Sequence, residues 1–151
     1  MQASVKSLVL ASLVNLAGNS LGTLVALQQN LAARLGSVPN SQSVLEDFLG
    51  LKGTALSAPF SFLLIQLAMT LLATRPGRAG RVGIAVLTFI GLFYTLAQAG
   101  EPILREQFRP GGFDPVQFII LGVNIASAVS MLFFGIKAWR TMRSSQPAAG
   151  H

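Results

Sequence analysis

The chain has 151 residues, of which 52% are hydrophobic and 11% charged, with a mean hydropathy of +0.60; a soluble domain carries about 25% charged residues, so this composition belongs to a membrane protein with room for one bundle. The net charge of +6 comes from basic residues scattered at the ends of apolar runs, without the basic stripe or aromatic interleaving that nucleic acid requires. With no cysteine, and His151 as the sole histidine, thiolate chemistry and a histidine metal site are set aside, and neither cofactor nor metal is expected.

Four apolar runs, at residues 8–27, 55–73, 82–99 and 116–136, approach the roughly 20 helical residues that a bilayer crossing needs. The expected fold is therefore all-α: a four-span transmembrane helical bundle in one domain, 1–143, with short amphipathic helices in its two outer loops. Residues 144–151 are expected to form a disordered cytoplasmic tail.

Lys6 followed by the apolar residues 8–17 has the look of a secretory leader. Because the apolar pattern continues to Leu27 and lacks a good cleavage site, the first run is read as a retained span. Leu24, Leu27, Leu31 and Leu35 keep one face apolar, which would carry the helix on to a stop at Gly36. In the first outer loop, Ser43 and Glu46 have capping-box spacing ahead of Phe48 and Leu49, predicting a short interfacial helix. Pro59 falls in or near the first turn of the second span, where its missing amide hydrogen is tolerated.

Between the second and third spans lies a short turn with Arg75, Arg78 and Arg81 and no acid. Taken with Lys6, Lys137, Arg140 and Arg143 it puts seven cations on one side, against Arg34, Lys52, Arg105 and Arg109 on the other. Positive charge stays inside, so both termini are expected in the cytoplasm. Multi-pass insertion in a cell membrane follows. The Ala, Gly, Leu and Arg richness with little Lys fits a bacterial cytoplasmic membrane. The acids Glu46, Asp47, Glu101, Glu106 and Asp114 all fall in the outer loops. Gly100, Glu101 and Pro102 should end the third span and start a short helix capped by Glu101. The fourth span has the fullest start signal: Asp114 as N-cap, Pro115 at N1, Gln117 at N3, and Phe113 placed to staple onto Phe118.

No ionisable side chain lies in mid-span, which argues against a proton- or ion-coupled pump. Neutral polar residues instead form stripes: Ser12, Asn15, Asn19 and Gly22; Gln66 and Thr70; Thr88, Gly91, Thr95 and Gln98; Asn124 and Ser127 beside Gly122, Ala126 and Ser130. Such faces should turn inward and bond one another, because lipid offers amides no partner. They are either packing and register devices or the lining of a neutral polar cavity made by Asn15, Asn19, Gln66, Tyr94, Thr95, Gln98 and Asn124. The cavity would take an uncharged or amphipathic small molecule. The expected partners are membrane lipid, a second copy or another membrane protein docked on small residues, and such a neutral ligand. The favoured role is a non-enzymatic membrane subunit or binder. One alternative is an outer-interface enzyme acting on a lipid headgroup, for which Glu101, Asp114 and Glu46 are weak catalytic candidates; another is an uncoupled small-molecule transporter or channel formed by oligomerisation.

Overall fold

A computed structural model describes residues 2–33 and 43–144, the side chains of residues 143 and 144 excepted. Gly36 and the tail beyond residue 144 lie outside the described residues, as does Arg34. Within them the chain is helical: α1 Ala3–Gln29, α2 Val44–Leu49, α3 Phe60–Ala73, α4 Gly77–Gly100, α5 Pro102–Glu106 and α6 Pro115–Ser144. Helices α1, α4 and α6 are long and apolar enough to cross a membrane. Helix α3 is apolar but has only 14 residues, about 21 Å of rise against a hydrocarbon core of about 30 Å.

The four longer helices form a ring in which α1 packs on α3 and α6, and α4 on α3 and α6. Neighbours run antiparallel. Ser12 meets Thr70 and Asn19 meets Ala58 across α1 and the α3 strand of chain, while Thr141 bonds back to Gln2 across α1 and α6. Gly91 brings α4 against α6: a Cβ there would stand 2.8 Å from Leu132 N and 2.9 Å from Ala128 O. The apolar core comprises Leu8, Leu87 and Met131 toward one end and Leu56 and Leu121 toward the other.

What faces outward defines the solvent. Leu10, Leu21, Leu24, Leu71, Phe89, Leu96, Ile119 and Phe133 are among the exposed large side chains, whereas Ser12, Asn15, Asn19, Gln66 and Asn124 are 0% exposed. A soluble bundle hides its leucines and shows its amides; this one does the reverse, as a protein dissolved in hydrocarbon does. Charge is sorted by end. Lys6, Arg75, Arg78, Arg81, Lys137 and Arg140 surround the end that holds both described chain termini and the α3–α4 turn, and all six are exposed. Among the described residues, every acid lies toward the opposite end.

Several local expectations meet the coordinates directly. Ser43 caps α2 by accepting from Glu46 N, and Asp114 Oδ1 accepts from Val116 N (2.9 Å) and Gln117 N (3.1 Å). Phe113 and Phe118 have ring centroids 5.5 Å apart, the expected staple. Gln117 does not close a capping box on Asp114; the Asp114 amide donates to Gln107 Oε1 instead (2.9 Å), and Gln117 bonds Gln107 and Gln29. Helix α1 ends earlier than the leucine spacing implied, with Asn30 in the left-handed conformation (φ 53°) as its cap. The largest difference is at the second apolar run, expected from residue 55. Its first five residues are irregular, and α3 begins only after Pro59.

Candidate functional site

The irregular segment at residues 50–59 explains the polar stripes. A backbone that is neither helix nor strand carries amide and carbonyl groups with no repeating partner, and inside an apolar bundle each must find one. Part of the need is met locally. Thr54 Oγ1 accepts from Leu56 N (3.2 Å) and Ser57 N (3.0 Å), and Thr54 N donates to Ser57 O (2.9 Å). Neighbouring helices supply the rest. Asn19 Oδ1 accepts from Ala58 N (2.9 Å), Asn124 Nδ2 donates to Leu56 O (3.0 Å), and the Thr23 and Ser57 hydroxyls share a 2.7 Å bond. Gly22 leaves the space: a Cβ on it would reach Leu56 O at 2.5 Å.

Deeper in the ring the same side chains bond one another. Asn15 Nδ2 donates to Ser127 Oγ (2.9 Å) and Asn124 O (3.1 Å), while Asn15 Oδ1 accepts from Asn19 Nδ2 (3.0 Å) and Gln66 Nε2 (3.2 Å). Gln66 Nε2 also donates to Ser12 Oγ (3.1 Å), which shares a 2.7 Å bond with Thr70 Oγ1. Four of the seven expected ligand residues, Asn15, Asn19, Gln66 and Asn124, thus form one buried spine between α1, the 50–59 segment, α3 and α6. Thr95 stands apart; its hydroxyl donates to Gly91 O in its own helix (2.7 Å).

Tyr94 and Gln98 are placed elsewhere, with Glu101, at the C-terminal end of α4. The spacing 94, 98, 101 puts the three on one helical face. That face looks across to the irregular segment, and because α3 starts late there is no helix opposite to fill the gap. A cavity of about 420 Å³ results, its walls including Leu56, Pro59, Phe62, Phe93 and Ala97. Its size is within the range of small-molecule sites, about 300–1,000 Å³. Tyr94 is 2% exposed. Neither its hydroxyl nor Gln98 Oε1 has a hydrogen-bond partner among the described residues. A buried polar atom without a partner is costly, about 1–3 kcal/mol. Gln66 Oε1 and Asn124 Oδ1 of the spine share that state, but Tyr94 and Gln98 line the cavity.

The weak catalytic candidates stand on separate elements. Asp114 is engaged as the α6 cap, Glu46 is exposed on α2, and Glu101 lines the cavity. No group of three metal-ligating side chains occurs among the described residues. The cavity's apolar walls, Phe62, Phe93 and Ala97, were not among the expected site residues. The signal for them is the pair Gly53 and Pro59, which forces the second apolar run to begin as irregular chain and leaves α4 uncovered opposite it. No protein-family model matches the chain, and no curated protein and no solved structure is significantly similar to it.

Proposed function

We propose that the chain is a four-span integral membrane protein that binds a small amphipathic molecule at the outer end of its bundle and does no chemistry on it. Helix α3 makes the second crossing with the irregular 50–59 segment, buried from Gly53 to Ser57, as its outer portion. The basic end, with both termini, lies in the cytoplasm, and the acidic end faces out. The positive-inside rule supports this orientation, as does the apolar outer surface.

The observation that carries the binding role is the cavity beside α4, lined mainly by apolar side chains, with Lys52, Thr54, Ser57 and Glu101 also in its walls and with the buried Tyr94 hydroxyl and Gln98 carbonyl lacking partners among the described residues. That is the composition of a ligand site: apolar walls with a few convergent polar groups. The spine of Asn15, Asn19, Gln66 and Asn124 then serves structure, holding the irregular segment that forms one wall. Filling the cavity with Ala97→Trp should remove bound lipid or amphiphile seen by native mass spectrometry of the full chain released from membranes, while leaving the helical content unchanged. A ligand retained in the filled variant contradicts the assignment.

A second reading is favoured by one feature of α6. A Cβ on Gly122 would meet nothing within 4 Å, and Ala126 is exposed beside it. This small-residue ridge faces away from the bundle, as a surface for close docking of another helix would. Gly122→Leu should dissociate a complex built on it.

A further inference from the structure

We infer that the groove between α4 and α6 at the basic end holds an anionic phospholipid, its acyl chain lying in the groove and its phosphate on the guanidinium groups of Arg81 and Arg140. The inference needs α4 and α6 to cross the membrane and is independent of the cavity at the other end of the bundle. The two helices touch along small residues: a Cβ on Gly135 would collide with Thr88, and one on Gly91 would stand 2.8 Å from Leu132 N. Beside that contact, Phe89 and Leu92 of α4 and Leu132 and Ile136 of α6 wall a hollow of about 460 Å³, with the smaller Ala85 and Thr88 also in its lining. Phe89, Leu92 and Ile136 are exposed, so the hollow opens on the lipid side of the bundle.

One end of the groove is apolar and the other is charged. Arg140 lines it, next to Trp139, whose amphipathic ring is favoured at the headgroup level. The pairing of Gly91 with Leu132 and of Thr88 with Gly135 gives the antiparallel register; carried on toward the basic end it sets Arg81 opposite Met142, and those two line one hollow together. Arg81 is also four positions before Ala85, hence on the groove's face of α4. Two guanidinium groups thus belong to one level, one on each helix, and both residues are exposed. Arg78 and Lys137 add charge within a turn of them, and every described acid lies toward the other end of the molecule. A guanidinium presents a planar fork of donors that fits phosphate. A zwitterionic lipid would bring its own cation into this field; a lipid whose head carries the phosphate charge alone would not. Free inorganic phosphate gains nothing from the apolar groove.

Trp139 is the single tryptophan of the chain, so its fluorescence reports on the groove alone. The full chain is reconstituted in phosphatidylcholine vesicles containing a small share of either phosphatidylglycerol or phosphatidylcholine brominated in the upper part of the acyl chains, since bromine quenches tryptophan on contact. Brominated phosphatidylglycerol should reach half-quenching at an about tenfold lower mole fraction than brominated phosphatidylcholine. Arg81→Gln with Arg140→Gln should remove the difference. Lys6→Gln with Arg75→Gln deletes as much charge from the same end, at residues that do not line the groove, and should preserve it. Equal quenching by the two lipids in the wild type overturns the inference. So does an equal loss of preference in the two double variants, which would mean a diffuse attraction of anionic lipid to the whole basic end.

Discussion

Asn19 shows how much a single amide can fix in an apolar bundle. Its nitrogen donates to Asn15 O and Oδ1 within α1, and its oxygen accepts from Ala58 N, 39 positions along the chain. In water such a bond would be replaceable, since Ala58 could turn to solvent. Here Asn19 is 0% exposed, and its Oδ1 is the acceptor that the Ala58 amide finds. Asn19→Leu keeps the volume but strands that amide, so it should destabilise by about 1–3 kcal/mol, more than the roughly 0.6 kcal/mol of an ordinary interhelical hydrogen bond. Ser20→Leu, on the exposed side of the same helix, removes a bond only to its own backbone at Leu16 O and should be near neutral. Unfolding in mixed micelles, followed by circular dichroism, measures both.

At the scale of the element, close packing depends on which side of a helix a glycine occupies. Gly91 lies against the backbone of α6, with Leu132 N, Ala128 O and Met131 Cβ all within 2.9 Å of an added methyl. Gly91→Ala must push α4 away from α6 and should cost about 1–3 kcal/mol. Gly122→Ala meets nothing within 4 Å and removes a flexible residue from mid-helix, so it should be neutral or stabilising by up to about 1 kcal/mol. The same micelle titration separates them, and equal effects would contradict the packing described.

The sequence allowed α1, α4 and α6 to be read because each is a long apolar run, and α4 and α6 also carry end signals that physics makes local: Gly100 and Pro102, and Asp114 and Pro115. The inward turn of Asn15, Asn19, Gln66 and Asn124 was legible for the same reason, since hydrocarbon leaves an amide no choice. What periodicity could not resolve was the start of α3. Ala55, Leu56 and Ala58 count as apolar whether or not their backbone is helical, and hydropathy carries no record of φ and ψ. Gly53 (φ 77°), Thr54, Ser57 and Pro59 decide the backbone there. The cavity follows from that decision, which is why Phe62, Phe93 and Ala97 could not be picked out from their spacing alone.

For the whole molecule, the solvent inversion and the sorting of charge make one picture. Leucines and phenylalanines cover the outside, amides hold the middle, cations ring one end and carboxylates gather at the other. The gap left by the short α3 lies at the acidic end, which is where the proposed amphiphile would enter. The arrangement depends on α3 and its irregular extension making a full crossing. If they did not, the two ends of that stretch would lie on the same side of the membrane.

The chain has no cysteine, so single cysteines report position without background. The decisive measurement is labelling of Leu49→Cys, Ala79→Cys and Pro110→Cys in intact cells with a membrane-impermeant maleimide; all three native positions are exposed. Four crossings predict that positions 49 and 110 are labelled from outside and that position 79 is labelled only after permeabilisation. Positions 49 and 79 behaving alike would show that α3 does not cross, and the account would be wrong.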